Sequence, residues 1–493
     1  MPHQKTLISC PGKVLIAGGY LVLDSAFAGV VLSTPSRFYT VIENNPPISF
    51  EELQDRENFG IRVKSPQFID GLWEYTVQKT ENGWELHAVT KEKNPFIQLA
   101  ISTTLALVQS LGEIVPFDIQ VTILGSNDFY SQPRNQEVEP FAPLNCTIAQ
   151  VHKTGLGSSA AMTSSLTSAL FTHWSRLSPT NPHKTNLDKN LMHNLAQFVH
   201  SLAQGKVGSG FDVSAAIWGS QTYARFAATN LGELSENIKP DALHELLTSS
   251  VWTTSETKAV VTPFNLPSHL SLILADVDAG SNTPSMVGKV LKWRSNSPEA
   301  ANELWGEIDK SNKSLIAAFN DITRSFENDP EAYTTLLQQL ASTMNTDWKD
   351  PAFVQARDAM TRTRQLMKEM GQLSDVPIEP DQQTTLLNAC CSIPGVVGAG
   401  VPGAGGYDAI WVLVVSPPSS LPITTTTGTT PAGVQRTEDS ILLLFDSWTE
   451  MSVKALSYHA WVGSASGEQA SGRDGLLVEE IGDVEGLSEA LIR

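Results

Sequence analysis

The stretch Gly155-Leu156-Gly157-Ser158-Ser159-Ala160-Ala161 sets a glycine turn directly before a run of small, helix-tolerant residues. A helix starting near Ser158 would aim its unpaired backbone N–H groups into that turn, where the helix dipole favours negative charge. The glycines let the backbone approach a ligand closely. The hydroxyls of Ser158 and Ser159 suit phosphate oxygens or a phosphate-bound Mg2+. The same residues serve equally well as a glycine turn with a serine N-cap that merely starts a core helix. A Walker A loop is excluded, because the G-x-x-x-x-G-K-[ST] spacing is absent.

Two charged residues stand in similar company. Asp212 follows Gly208-Ser209-Gly210, where the backbone can come close to a substrate and the carboxylate can orient or deprotonate an attacking oxygen. Its competing role is to cap the helix of the following "VSAAIW". Lys13 is a lone cation just ahead of an apolar run. Lysines are seldom buried without a partner, so it calls for an anion or a carboxylate, or else a solvated strand end. Ser281, Asn282 and Thr283 precede a helix opening at Pro284, a second potential anion-binding N-terminus or a Thr283 cap. Gly398 to Gly403 spells G-x-G-x-x-G, but a helix-like segment precedes it and a strand follows, the reverse of the dinucleotide-binding order.

The elements that must position these residues are legible in outline. "TLISC" and "KVLIAG" read as two short buried strands separated by Pro11-Gly12. Asn94 and Pro95 open a helix that Gly112 closes, and Gly205 closes another. "FDIQVTIL", "LSLILADV" and "AIWVLVV" read as strands, and long helices fill 298–370. At 493 residues the chain is long enough for two domains. A polar stretch at 228–262 marks the junction, giving units of 1–240 and 241–493. Residues 416–434, rich in Pro, Ser, Thr and Gly, read as a disordered insertion.

The formal net charge of −19 argues against sequence-independent nucleic-acid binding. No apolar run reaches the roughly 20 residues of a membrane span. The four cysteines lack metal-ligand spacing and read as free cytosolic thiols. Pro11-Gly12, Gly18-Gly19 and Asp24 interrupt what would otherwise resemble a signal peptide. The expected location is therefore the cytoplasm, with small-molecule partners, no nucleic acid and no membrane; monomer and homodimer both remain open.

Taken in order, "PGKVLIAGGY", "KTGLGSSAA" and "PGAGGYDA" resemble the three conserved elements of the GHMP small-molecule kinases. Further blocks, among them "VKSPQF", "KNPFI", "HNLAQ" and "AQGKVGSGFDV", narrow the resemblance to the branch, fungal in type, that acts on phosphomevalonate. The resemblance implies transfer of the γ-phosphoryl group of ATP to (R)-5-phosphomevalonate, giving the 5-diphosphate and ADP, in the mevalonate route to isoprenoids and sterols. It implies an α+β fold: an N-terminal domain like ribosomal protein S5 domain 2 and a ferredoxin-like C-terminal domain, with the site between them.

By the same resemblance, Lys153, Thr154, Gly155, Leu156, Gly157, Ser158, Ser159, Ala160, Ala161, Met162 and Thr163 would bind the nucleotide, with Ser159 facing Mg2+. Lys13 and Asp212 would be catalytic. Lys13, Gly19, Tyr20, Lys64, Gln132, Lys206, Ser209, Ser281, Thr283 and Gly405 would contact substrate. Because the acceptor is already a phosphate, positioning and charge neutralisation should outweigh proton abstraction. One departure stands out: a metal-holding glutamate found in mevalonate kinase has no counterpart near Ser201. The competing functions are a related kinase acting on mevalonate or another alcohol, and an ATP-binding sensor without turnover.

Overall fold

The computed structural model describes residues 5–44, 56–112, 114–132, 138–178, 187–227, 238–249, 252, 254–255, 258–277, 283–418, 436–456, 461–462 and 474–493. Of 254–255, 258–259, 283–284 and 461–462, only the backbone is described. Ser281 and residues 419–434 of the expected insertion lie outside this set, as does 228–237 of the expected junction.

A mixed sheet carries the N-terminal half. Its strands are β1 (Lys5–Ala17), β2 (Ala28–Asn44), β3 (Asn58–Lys64), β4 (Leu72–Thr80), β5 (Gly83–Ala88), β6 (Ile119–Gly125) and β7 (Gln221–Ala224). After the short pair β8 (Thr254–Ser255) and β9 (Lys258–Ala259), β10 (Val261–Pro263) joins the edge, giving the order β10-β7-β2-β6-β3-β4-β5 with β1 alongside β2. Among the described residues, four helices line this half: α1 (Pro95–Leu111), α2 (Ser158–Leu177), α3 (Lys189–Gln204) and α4 (Phe211–Trp218). The helix α5 (Pro240–Thr248) follows and packs on α1 and α3. Helix ends follow local chemistry. The Asn94 side chain accepts from the Ile97 N–H at 3.4 Å, and Pro95 occupies the first turn of α1. Gly205 closes α3 in the left-handed conformation that favours glycine.

The two strands expected before and after Pro11-Gly12 are one. β1 runs through the dipeptide with its pairing to β2 shifted between Pro11 and Lys13. A bulge leaves one residue out of the ladder, so a proline is tolerated there. A Cβ on Gly12 would lie 2.7 Å from Thr34 Oγ1 and 2.8 Å from the Leu156 carbonyl oxygen, so the glycine marks a close crossing, not a strand end.

The second sheet contains β11 (Leu270–Val277), β12 (Val396–Gly400), β13 (Ala409–Val415) and β14 (Val453–Ala455), with β15 (Trp461–Val462) also on β11. All its pairs are antiparallel, in the order β12-β13-β11-β14. Between β11 and β12 lie α6 (Thr283–Asn296), α7 (Pro298–Asn328), α8 (Pro330–Ala341), α9 (Pro351–Ser374) and α10 (Asp381–Cys391); α11 (Thr437–Ser447) links β13 to β14. This is the βαββαβ ferredoxin-like succession with its first crossover enlarged to several helices.

The chain then returns. β16 (Leu477–Val478) pairs with Ile8 and Ser9 of β1, and α12 (Leu487–Ile492) adds Leu487 and Ala490 to a cluster with Leu7, Tyr39 and Phe141. Asp474 accepts from the Ser33 hydroxyl and from the Ser220 N–H at 2.9 Å. Residues 474–493 thus complete the N-terminal sheet, and that unit is not contiguous in sequence.

Substituting Gly12→Ala should lower stability by about 1–3 kcal/mol, the usual cost of overpacking. A reduced urea midpoint would show it; an unchanged midpoint would mean that the Leu156 loop can yield.

Candidate active site

Lys13 lies in the middle of β1, and the glycine turn before α2 is fastened to it three ways. The Lys13 N–H donates to the Leu156 carbonyl at 2.9 Å. Its Nζ donates to the Gly155 carbonyl at 2.8 Å. Its methylenes floor Gly157, where a Cβ would come within 3.1 Å of Cε and Cγ. The φ angles of Gly155 and Gly157, 76° and 79°, lie in the left-handed region that favours glycine.

The N-cap of α2 is Gly157, which supplies no side-chain acceptor. The first intrahelical bond in this turn runs from the Ala161 N–H to the Gly157 carbonyl at 3.1 Å, so the amides of Ser158, Ser159 and Ala160 face forward of the helix. The first turn carries no acidic residue. A serine cap, the alternative open from sequence, is therefore not what is found, and the arrangement favours an anion in front of the turn.

Asp212 sits in the first turn of α4 behind the cap residue Gly210, and its Oδ1 accepts from the Val213 N–H at 3.0 Å. Lys13 and Asp212 form no direct ion pair; the ammonium is bonded instead to the Gly155 carbonyl. The ring of Phe211, the residue before Asp212, has its centroid 5.4 Å from Lys13 Nζ. Burial pushes the Lys13 ammonium below the ordinary lysine range, and the Asp212 charge pulls it part of the way back.

Ser159 has a partner that sequence reasoning missed. His200 Nε2, on α3, lies 3.1 Å from Ser159 Oγ and 3.1 Å from Gln204 Nε2. Burial holds the imidazole below its ordinary value, with Asp212 opposing. With the Gln204 amide as donor, Nε2 is the lone-pair nitrogen, so the Ser159 hydroxyl also donates to it and keeps its oxygen lone pairs for a cation. The two residues are 41 apart in sequence, and no spacing rule joins them.

The remaining expected contacts divide. The Thr154 hydroxyl donates to the Asp128 carbonyl, and Lys153 bridges to Tyr130. Ala160, Ala161 and Thr163 are buried in α2, with Met162 partly so. Lys206 is exposed just past α3, and Ser209 is half-buried before α4. Gly19 and Tyr20 lie on the far side, beside the late glycine loop. The buried Tyr20 hydroxyl donates to the Ala404 carbonyl at 2.9 Å, and the Gly403 N–H reaches the Leu15 carbonyl at 3.4 Å. Gly405 is held by packing, since a Cβ there would fall 2.1 Å from the Ile378 carbonyl oxygen. A cleft lined by Gly18, Gly19, Met367, Gly403 and Trp411 opens between these segments.

Two candidates have their side chains bonded to backbone carbonyls, Gln132 beside the segment that leads into the glycine turn. Lys64 Nζ donates to the Leu491 carbonyl at 3.0 Å, at the C-terminal helix. The Gln132 amide donates to the Asn127 and Tyr130 carbonyls, each at 3.2 Å. Thr283 begins α6, but its side chain, like all of Ser281, lies outside the described residues.

A model of the GHMP kinases N terminal domain matches residues 143–220, which contain the turn, His200 and Asp212. The chain is 34% identical over 455 residues to the phosphomevalonate kinase of Aspergillus fumigatus, covering 85% of this chain and 89% of that protein. It is 36% identical over 460 residues to the Arabidopsis thaliana protein named phosphomevalonate kinase, peroxisomal, covering 83% and 89% respectively. The Streptococcus pneumoniae phosphomevalonate kinase, solved with phosphomevalonate and AMPPNP, has a TM-score of 0.52 at 16% identity, covering 84% of this chain and 93% of that one. At that identity the likeness is one of fold.

Lys13 should titrate below the ordinary lysine range, and Asp212→Asn should lower it further by removing the charge that supports the ammonium. Carbon-detected NMR of the lysine Cε resonances against pH checks both; a Lys13 signal that ignores the Asp212 substitution would refute the coupling.

Proposed function

From the premise that the chain belongs to the phosphomevalonate kinases of the GHMP kinase family, we propose that Lys13, the Gly155–Ser159 turn and Asp212 together carry γ-phosphoryl transfer from ATP to (R)-5-phosphomevalonate. The protein is an ATP-dependent kinase of the mevalonate route. The observation that carries the site assignment is the triple attachment of the glycine turn to Lys13, which sets a cation against an amide-lined anion cradle.

The nucleotide phosphates occupy the front of α2, where the Ser158, Ser159 and Ala160 amides point. Lys13, bound to a neutral carbonyl, keeps its charge for the transferring phosphoryl group and the acceptor oxygen. The acceptor is a phosphate monoester whose second ionisation falls at about pH 6, so at neutral pH it attacks as an anion without a general base. Asp212 orients the acceptor, and its charge supports the Lys13 ammonium.

The donor set fits Mg2+: a serine hydroxyl whose proton is taken by His200, and the Asp212 carboxylate with Oδ2 still available. Mg2+ is usually held by one or two such oxygens together with substrate phosphates, and among the described residues no cluster of three or more acidic, His or Cys side chains competes for it. Bound there, Mg2+ would neutralise phosphate charge. The expected cytoplasmic location draws on the free thiols and on the residues that interrupt the N-terminal apolar run; the peroxisomal name of the Arabidopsis relative supplies the alternative compartment, which microscopy of a tagged chain separates.

ADP release should occur with phosphomevalonate and not with mevalonate or with ATP alone. Lys13→Met should cut kcat by about 10²–10³-fold, the effect of removing one preorganised electrostatic donor. Asp212→Asn should cost less than about 10²-fold, below the range of a removed general base. Turnover with mevalonate instead would assign the sister reaction, and ATP binding without turnover would leave a sensor.

A further inference from the structure

The loop that leads into Asp212 is held from behind by an unusual set of side chains. Arg225, immediately after β7, donates Nη2 to the Val207 carbonyl at 2.9 Å and to the Gly208 carbonyl at 2.6 Å. The Tyr223 hydroxyl donates to the Ser209 carbonyl at 2.7 Å, and Gln197 Nε2 to the Gly210 carbonyl at 2.6 Å. Four consecutive carbonyls are thus drawn toward one wall of the domain. The described chain contains no cis peptide bond, so each carbonyl points opposite the N–H of the next residue. The amides of Gly208, Ser209, Gly210 and Phe211 consequently face away from these carbonyl contacts; Gly208, Ser209 and Phe211 are half-buried and Gly210 is buried, its carbonyl also accepting from the Ser214 N–H of α4 at 3.0 Å.

Arg225 also reaches a second segment. Its Nη1 donates to the Leu23 carbonyl at 2.8 Å, at the end of the Gly19–Leu23 turn. The next residue, Asp24, is paired at 2.7 Å with Arg294 of α6, whose guanidinium stacks 3.8 Å from the Trp305 ring centroid. One guanidinium therefore sets the separation between the turn that carries Gly19 and Tyr20 and the loop that carries Lys206, Ser209 and Asp212. A planar fork of fixed donors can hold three carbonyls in this way, whereas a lysine ammonium presents only a point charge on a flexible stem. Gly210 leaves no slack, since a Cβ there would sit 2.8 Å from Phe226 and 2.9 Å from both Gln197 Nε2 and the Tyr223 hydroxyl.

We propose that Arg225 is a positioning residue for the phosphoryl acceptor: by gripping Leu23, Val207 and Gly208 it fixes the two walls between which the acceptor lies and keeps the loop amides turned to the acceptor phosphate. Tyr223 and Gln197 complete the grip. The glycine turn on the nucleotide side is fastened to Lys13 of β1 and makes no hydrogen bond to Arg225, Tyr223 or Gln197. This inference rests on the acceptor assignment above.

The test is steady-state kinetics of the full chain carrying Arg225→Gln, Arg225→Lys and Tyr223→Phe, with phosphomevalonate and ATP varied separately, together with melting curves. The expected result is a rise of about tenfold or more in the KM for phosphomevalonate in Arg225→Gln, with the ATP KM within about twofold of wild type. Arg225→Lys should recover only part of the loss, and Tyr223→Phe, which deletes one hydroxyl and leaves the ring packing intact, should shift the acceptor KM in the same direction to a smaller extent. Equal losses for both substrates, or a lowered melting point with no split between them, would reduce Arg225 to a structural role and overturn the proposal. If Arg225→Gln fails to fold, the Tyr223→Phe split decides alone. A wild-type protein inactive with phosphomevalonate would instead overturn the acceptor assignment, a result separable from wild-type turnover with unaltered acceptor KM in the variants.

Discussion

The ammonium of Lys13 is anchored by a neutral carbonyl, not by a carboxylate, and the site depends on that arrangement. A lysine neutralised by a close carboxylate would offer little field to a phosphoryl group, while one left without any partner would lose its proton to burial. Bonding to Gly155 avoids the first outcome, and the Asp212 charge opposes the second. The bond orients the ammonium, lets Asp212 sustain the charge at a distance, and leaves the remaining N–H donors for ligand. Because the Lys13 N–H also holds Leu156, the cation and the anion-binding turn cannot drift apart.

The wider electrostatics explain why such local devices are needed. A chain with a formal net charge of −19 repels a nucleotide and a phosphate ester at long range. Attraction must come at short range from fixed dipoles and a few placed cations. In the proposed site the front of α2 would offer unpaired amides to one ligand, and the loop before α4 would offer amides oriented by Arg225, Tyr223 and Gln197 to the other. Each amide is held by the fold itself, so little reorganisation is required when charge moves during transfer.

The two halves meet through apolar faces of α7 and α9, which share a core with β1 and β2, and through glycine-rich segments beside them. Leu15 and Tyr20 bond the 403–404 backbone, and Gly405 lies against Ile378, which follows α9. Behind them the buried pair of Arg364 and Glu379 ties α9 to the segment before α10 with bonds of 2.6 and 3.0 Å. A bidentate buried pair contributes geometry more dependably than net stability. The C-terminal return across β1 then locks the strand that bears Lys13 from its other end.

Sequence alone determined much of this. Helix ends at Asn94, Gly112 and Gly205 follow from capping chemistry that is local by nature. The strands around 119–125, 270–277 and 409–415 follow from short apolar runs bounded by turn residues. The glycine turn, Lys13 and Asp212 are recognisable because their residue types are unusual for their surroundings. What tertiary structure decided is everything set by contacts between distant residues. The continuity of β1 through Pro11-Gly12 depends on the Leu156 backbone crossing above it, which local turn propensity does not report. His200 joins Ser159, and Lys64 leaves for Leu491, through contacts that no spacing predicts. Residues 474–493 belong to the first sheet because an open edge of β1 and an apolar patch at Leu7, Tyr39 and Phe141 await them. Hydrogen-bond partners and burial are properties of the packed chain, and the order of residues fixes them only by way of the fold.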